Sequence, residues 1–528
     1  MNADQIRPAV LNSTAGGKIC LATNYLLWTE PTRKLWIDLD RHLDEFGCRL
    51  VLLTTSVPEI PLPFPVIPIS FLLRDYAGLF PGAVGPGGNV SAGELELLQA
   101  DSIRSNRAYP AGDALPGLFA CRHLFSTVLN TLKPQYVLTW DSTSPMARIL
   151  HSVASEAGLP VQGLERGLLS ETLMVESRGI QAWSDLRMHW LAQDIPAAAR
   201  EPAAYERIRA HYLAHKPQKY AQADFGGGGD EIRRRLGLEG KKVIVFLGSW
   251  EADGFASRGG VYERCFFTGF PTILEALMAL CRLVKHLPGV ALVFKPHPLD
   301  QQSYVVAKLE GVQIVQDVNV LALMDAADVV AAQYTTLQFE ATFYDKPVLL
   351  LARSAWWGRN AAYEVEFPEA LPAMLAAALQ RRDWAERRAN AQAFITWMMD
   401  QFLIACTDRV PARRNLRDFA RYLAATSMDA RDLPPPEVRW ERTEQAIAAL
   451  KARPLSGPVN GRPLSPASPP VVPLPVRPLN PPPGVIPAPI SRADCPPNPA
   501  PLPGNVRRGN GAAGTPMKNV ARPLARPA

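Results

Sequence analysis

Apolar runs of strand length alternate with stretches of helical period from residue 18 to about residue 350, and this alternation restricts the possible folds most. It is typical of parallel βαβ units, whose strands are buried on both faces. The sequence therefore predicts an α/β protein. We predict helices at 31–46, 114–132, 144–157 and 269–287. We predict strands at 18–23, 50–53, 66–69, 136–140, 161–164, 242–247, 291–294, 312–315, 329–331 and 348–351.

A run of four glycines, Gly226–Gly229, interrupts this pattern. Neither a helix nor a strand favours such a run, so it indicates a linker. We predict an N-terminal Rossmann-like domain at 1–215, a glycine-rich linker at 216–230 and a C-terminal Rossmann-like domain at 231–380. Two such domains would face each other across a cleft.

The chain beyond residue 380 changes character twice. Residues 381–452 have a helical pattern and are expected to brace the first domain. Residues 453–528 contain 22 prolines, nine Lys or Arg residues and one acid, and they are expected to be disordered. The net charge of the tail is thus +8. Because the net charge of the whole chain is +6, the rest of the chain has a net charge of about −2 (6 − 8). Because the rest has no basic excess, we expect no nucleic-acid partner.

Cysteine spacing and hydropathy indicate in which cellular compartment the protein is expected. The seven cysteines include no Cys-x-x-Cys pair, so neither a zinc site nor a disulfide framework is predicted. The N-terminus lacks a signal-peptide pattern, and no run of 18 apolar residues occurs. We expect a cytoplasmic protein, either free or peripheral at the inner membrane.

Two clusters of chemically distinctive residues follow predicted strands of the second half, where open parallel sheets bind ligands. In Lys295-Pro296-His297-Pro298, the flanking prolines restrict the histidine backbone and suit a phosphate contact. In the second cluster, Thr335 and Thr336 open a helix and Glu340 follows one turn later, which suits an anion and ribose hydroxyls. The alternatives are a turn with a solvated histidine and an ordinary helix cap.

A third cluster lies in the first half. Glu165, Arg166 and Gly167 follow a predicted strand, and Glu165 is a candidate general base or nucleophile. Asp141, at the end of another strand, is a rival carboxylate, and Asp253 is a further candidate for the cleft. Each is otherwise a helix cap or a surface charge. Because no P-loop, GxGxxG or metal-ligand spacing accompanies these residues, we predict no cofactor and no metal.

These residues resemble the bacterial capsular polysaccharide biosynthesis and export family, whose characterised members include transferases of Kdo from CMP-Kdo. The resemblance spans roughly 135–350. It rests on Glu165-Arg166-Gly167-Leu168-Leu169 with Thr172 and Gly179, on Lys295-Pro296-His297-Pro298, and on Ala326-Ala327-Asp328, Thr336, Glu340-Ala341 and Lys346-Pro347-Val348. The chain departs from the family pattern at Ser170, Tyr334 and Gln338.

The resemblance implies a GT-B-like glycosyltransferase that uses a CMP- or CDP-linked donor. Lys295, His297 and Pro298 would hold the donor phosphate together with Thr335 and Thr336. Glu340 would meet the ribose or base, and Glu165 would act on the acceptor side.

The implied partners are a glycan or glycolipid acceptor and a capsule assembly or export complex at the inner membrane. Two alternatives stay open: a CDP-glycerol-type glycerophosphotransferase, and a non-catalytic polysaccharide export or binding component on the same fold.

Overall fold

The computed structural model describes residues 18–24, 29–54, 58–68, 111–140, 145–176, 184, 186–187, 190, 197–217, 227–249, 269–298 and 309–425. The predicted tail, 453–528, lies outside these residues, as do most positions of the predicted linker.

The first sheet has the strand order β14-β13-β6-β5-β4-β1-β2-β3. The strands from β5 to β3 in this order run parallel to one another, whereas β6 is antiparallel to both of its neighbours. Its strands are β1 (Lys18–Asn24), β2 (Cys48–Thr54), β3 (Val66–Pro68), β4 (Tyr136–Trp140), β5 (Val161–Arg166), β6 (Thr172–Glu176), β13 (Ile404–Ala405) and β14 (Arg414–Asn415).

The second sheet has the order β12-β11-β10-β7-β8-β9, and all its strand pairs are parallel. Chain order therefore reverses between β7 and β10, as in the Rossmann arrangement, where ligands bind at this switch point. Its strands are β7 (Lys242–Leu247), β8 (Val290–Lys295), β9 (Val312–Ile314), β10 (Val329–Ala332), β11 (Val348–Leu350) and β12 (Tyr363–Glu364).

Helices connect and cover the strands. They are α1 (Glu30–Asp44), α2 (Ala111–Leu132), α3 (Pro145–Glu156), α4 (Pro202–His215), α5 (Gly229–Arg235), α6 (Ile273–Val284), α7 (Val320–Ala326), α8 (Leu337–Glu340), α9 (Leu371–Leu379), α10 (Trp384–Gln401) and α11 (Leu416–Ala425). Within the described ranges, no helix has both the length and the apolar character that a membrane span requires.

The predicted α/β class and the two Rossmann-like sheets of a GT-B-like fold are confirmed by this topology. Every predicted strand overlaps an observed one, because buried parallel strands are continuous apolar runs. Within the described ranges, the strands that the sequence did not predict are β6, which reverses direction, and β12, β13 and β14, which have only two residues each. Strands that short have no alternating pattern to recognise.

The last glycine of the predicted linker begins a helix. Gly229 is the first residue of α5, and its N–H donates to Asp325 Oδ2 at 2.7 Å. A Cβ at this position would lie 2.7 Å from the Asp325 carbonyl carbon. Gly229 is therefore required by the close approach of α5 to the end of α7.

The C-terminal part of the described chain returns to the first sheet. After α10, strand β13 pairs antiparallel with β6. Helix α11 then packs against α1 with an apolar face of Leu416, Phe419, Ala420 and Leu423.

One hydrophobic core joins the first half of the molecule, which contains most of the first sheet, to the second half, which contains the second sheet. It contains Leu168 and Leu169 from the turn between β5 and β6, one face of β7 and the aromatic side chains of α10. Within it, the Trp190 ring centroid lies 4.9 Å from that of Phe394 and 5.0 Å from that of Trp397. The turn after β5 is thus buried against the second half.

Asp328, one of the residues that carry the family resemblance, lies at the amino end of β10. Its carboxylate accepts hydrogen bonds from Arg233 Nη2 at 2.7 Å and from the Val243 N–H at 2.8 Å. Burial raises its pKa, but these hydrogen bonds and the charges of Arg233 and Lys242 outweigh burial, so the pKa is lowered overall. Another of these residues, Lys346, donates to the Asp325 carbonyl at 2.8 Å. Both therefore stabilise the sheet at the edge opposite its carboxyl ends.

The Asp328→Asn substitution should lower the free energy of unfolding at pH 7 by about 1 kcal/mol, because the amide keeps an acceptor for Val243 but loses the charge facing Arg233. Because the pKa of Asp328 is lowered in the folded state, its ionised carboxylate stabilises the protein at pH values above the unfolded pKa of about 3.9. This stabilisation is lost as the pH falls through the folded-state pKa. Denaturant titrations at pH 7 and pH 3 should show the wild-type advantage shrinking, with the exposed Asp230→Asn as control. An advantage that is equal at both pH values would contradict this account.

Candidate functional site

The end of β8 and the residues after β7 form a close contact at the carboxyl edge of the second sheet. The Gly248 N–H donates to the Lys295 carbonyl at 2.8 Å, and a Cβ on Gly248 would lie 3.1 Å from the backbone nitrogen of His297. Pro296 is buried, His297 is half-buried and Pro298 is exposed. The histidine backbone is therefore held both by its flanking prolines and by the neighbouring loop.

The Lys295 side chain is nearly buried, with 8% of its surface exposed. Its Nζ donates to the Gln316 carbonyl in the segment after β9. Burial lowers the pKa of Lys295, and the charge of Asp317 acts in the opposite direction. The predicted positive charge thus lies at the carboxyl edge, where it also ties the ends of β8 and β9 together.

Thr335 and Thr336 follow β10, on the other side of β7 from His297. Thr335 is buried, and its Oγ1 accepts from the Leu337 N–H at 3.4 Å. The helix that follows, α8, has only four residues and continues as a 3₁₀ turn, Ala341–Tyr344. A helix this short has a small dipole, so any anion at this point would depend on hydroxyl and N–H groups.

The carboxylate of Glu340 is buried, with 4% of the residue exposed, and it faces the first half. Ser170 Oγ donates to Glu340 Oε1 at 3.3 Å. The negative charge of Glu340 also contributes, after burial, to raising the pKa of Tyr212 and of Tyr344. The structure thus joins the second and third predicted clusters through Ser170 and Glu340.

The third predicted cluster forms a tight hairpin, which corrects the expectation that Glu165 follows a strand. Strand β5 continues to Arg166, and Glu165 is in register with Met174 of the antiparallel strand β6. The Gly167 N–H donates to the Thr172 carbonyl at 2.8 Å. Glu165 and Arg166 are both half-buried, and they point to opposite faces of the sheet.

Gly167 is required by the geometry of this hairpin. A Cβ at Gly167 would lie 1.9 Å from Thr172 Oγ1, which itself donates to the Leu169 carbonyl at 2.6 Å. Glu171 adopts a left-handed conformation with φ of 60°. The Glu-x-Gly-Leu-Leu segment therefore has a structural explanation as a hairpin whose two leucines enter the shared core.

Two candidates, Asp141 and Asp253, lie outside the described residues. Sequence analysis also missed partners that only folding brings into contact. Gln338 Oε1 accepts from Trp356 Nε1 at 3.0 Å, and the Tyr212 hydroxyl donates to the Ser170 carbonyl at 2.8 Å. The spacing of Tyr205 and Tyr212, seven residues apart on one helix, indicated a common face but not what that face contacts.

No protein-family model matches the chain, and no curated protein matches it. Among solved structures, the chain is similar to a β-Kdo 2,7-transferase, KpsC of Thermosulfurimonas dismutans, with 17% identity, a TM-score of 0.31 and coverage of 55% of this chain and 88% of that one. It is also similar to the UDP-GlcNAc 2-epimerase of Methanocaldococcus jannaschii, with 12% identity, a TM-score of 0.34 and coverage of 71% and 98%.

A third similar structure is the spinosyn rhamnosyltransferase SpnG, with 12% identity, a TM-score of 0.35 and coverage of 78% of this chain and 100% of that one. The strand order and pairing of the chain itself establish its fold.

The Gly167→Ala substitution should lower the free energy of unfolding by about 1–3 kcal/mol, because the added methyl group overlaps Thr172 and cannot be accommodated without moving the hairpin. Thermal and denaturant unfolding measure this effect. Glu171→Gly, in the same hairpin, is the control and should change stability by no more than about 1 kcal/mol, because glycine tolerates the left-handed conformation. Wild-type stability in Gly167→Ala would show that the hairpin differs from the one described.

Proposed function

We propose that the protein is a glycosyltransferase that binds a cytidine-nucleotide sugar, of the CMP-Kdo type, at the carboxyl edge of the second sheet. The observation that carries this proposal is the position of His297 and the two threonines. They follow β8 and β10, the strands on either side of β7, and so they flank the switch point between β7 and β10. Imidazole, hydroxyl and N–H groups at this place suit the phosphate of a nucleotide.

The proposed donor contacts divide by chemistry. His297, with Pro298 beside it, meets the phosphate together with Thr335 and Thr336. Lys295 contributes its positive charge from its buried position beside Gln316. Glu340 accepts hydrogen bonds from ribose hydroxyls with the carboxylate that Ser170 also contacts.

The proposed transfer step needs a base on the acceptor side. Glu165 accepts the proton of an acceptor hydroxyl. The oxygen of that hydroxyl forms a bond to the anomeric carbon of the donor sugar, and the bond from that carbon to the phosphate oxygen breaks. CMP leaves with the electron pair, and His297 stabilises its negative charge. Arg166 and Gly167 shape the same hairpin, and Asp141 and Asp253 are further candidates for this site.

We place the acceptor among glycans or glycolipids of capsule or other surface polysaccharides. The protein would work on the cytoplasmic side of the inner membrane with an assembly or export complex. The experiments below separate this proposal from its two alternatives, a CDP-glycerol-type glycerophosphotransferase and a non-catalytic component.

The His297→Ala substitution should reduce CMP release from CMP-Kdo in the presence of acceptor at least 100-fold, because it removes the phosphate contact. The measurement is nucleotide release by chromatography. His286→Ala, an exposed histidine after α6, is the matched control and should retain wild-type release. Full release by His297→Ala would contradict the role of His297.

Consumption of CDP-glycerol instead of CMP-Kdo would favour the glycerophosphotransferase. A nucleotide titration that shows no saturable cytidine-nucleotide binding would favour the non-catalytic component.

The Glu165→Gln substitution should lower kcat about 100-fold or more while CMP affinity stays within about twofold, because the amide cannot take a proton but keeps the side-chain shape. Steady-state kinetics and calorimetric titration with CMP test the two parts separately. Glu59→Gln, at an exposed carboxylate between β2 and β3, should change neither. Unchanged kcat in Glu165→Gln would transfer the proposed base to Asp141.

A further inference from the structure

One face of α4 is bonded to both halves of the molecule. Tyr205, Arg209 and Tyr212 are spaced four and three residues apart, so their side chains share a face of the helix. The Tyr205 hydroxyl donates to the Thr342 carbonyl at 2.9 Å, and Arg209 Nε donates to the Phe343 carbonyl at 2.8 Å. Tyr212 donates instead to a carbonyl of the β5–β6 hairpin. Helix α4 thus holds this hairpin against the turn that follows α8.

Tyr212 is fixed both by its ring and by its hydroxyl. The ring stacks on that of Phe343, with centroids 5.0 Å apart and planes 13° apart. Burial raises the pKa of Tyr212, and the charges of Glu340 and Glu171 raise it further. The hydroxyl therefore keeps its proton over the working pH range and acts as a donor to Ser170.

Ser170 connects Tyr212 to Glu340. Its carbonyl accepts from the Tyr212 hydroxyl at 2.8 Å, and its own hydroxyl donates to Glu340 Oε1 at 3.3 Å. Ser170 is 3% exposed and Glu340 is 4% exposed, so water cannot readily replace either contact. The orientation of the Glu340 carboxylate consequently depends on where the hairpin is held.

We propose that Tyr212 is a positioning residue that, through Ser170, sets the Glu340 carboxylate for recognition of the ribose hydroxyls of the donor nucleotide. This inference rests on the proposed function. It adds that ribose recognition depends on helix α4, and that the hairpin carrying Glu165 is held by the same contact. The ribose-binding group and the acceptor-side hairpin therefore keep one geometry.

The test compares Tyr212→Phe with Tyr205→Phe. Each variant loses one hydroxyl that donates to a buried backbone carbonyl, and Tyr212→Phe keeps the ring stacked on Phe343. Calorimetry measures the affinities for CMP and for 2′,3′-dideoxy-CMP, which lacks both ribose hydroxyls.

Tyr212→Phe should weaken CMP binding about tenfold and leave dideoxy-CMP binding within twofold. Tyr205→Phe should affect neither nucleotide. Ser170→Ala should reproduce the Tyr212→Phe pattern, because it removes the donor that contacts Glu340.

Equal weakening of both nucleotides by Tyr212→Phe, or unchanged CMP affinity, would overturn the positioning role. If the wild-type protein binds neither nucleotide, the proposed function fails, and ribose recognition fails with it. In that case hydrogen exchange still tests whether Tyr212 holds the hairpin in place. Tyr212→Phe should accelerate exchange of the Leu168–Glu171 amides about tenfold relative to Tyr205→Phe. Equal exchange in the two variants would show that Tyr212 does not hold the hairpin.

Discussion

The buried contact between the β5–β6 hairpin and the second half is the constraint on which the proposed site depends. Leu168 and Leu169 enter a core that also includes one face of β7 and the aromatic residues of α10. Because this region excludes water, the polar groups at the tip of the hairpin must bond within the protein. Ser170 does so in both directions, toward α4 and toward Glu340. A hairpin of the first sheet is thereby held against the residues that follow β10.

Residues that carry the family resemblance separate into two groups once their surroundings are known. Asp328 and Lys346 lie at the amino ends of strands and bond to neighbouring segments, and Gly167 is needed because Thr172 approaches so closely. Their presence is explained by folding alone. His297 and Thr336 lie at the carboxyl edge, on opposite sides of β7, where the parallel topology brings loop residues together.

Sequence reasoning succeeded where one physical cause dominates. Buried parallel strands must be apolar along their whole length, so β1, β4, β7 and β8 were recognisable from short windows of sequence. It failed at Glu165, where a strand continued through charged residues into an antiparallel turn. There the strand is stabilised by pairing with β6, a partner that a short window cannot reveal. The length of α8 could not be predicted for a related reason, since hydroxyls and a carboxylate one turn apart fit a long helix and a short one equally well.

The sequence by itself determined the α/β class, the two sheets and the strand ends at which His297, Thr335 and Thr336 lie, because hydropathy is a local property that acts at every position. Only the tertiary structure decided that Ser170 faces Glu340, that Tyr212 holds Ser170 and that Lys295 bonds to the Gln316 carbonyl. These contacts join residues that are distant in the chain, and each depends on how two elements pack. The physical reason is that a buried polar group must find a partner, while its own neighbourhood in the sequence does not specify which one.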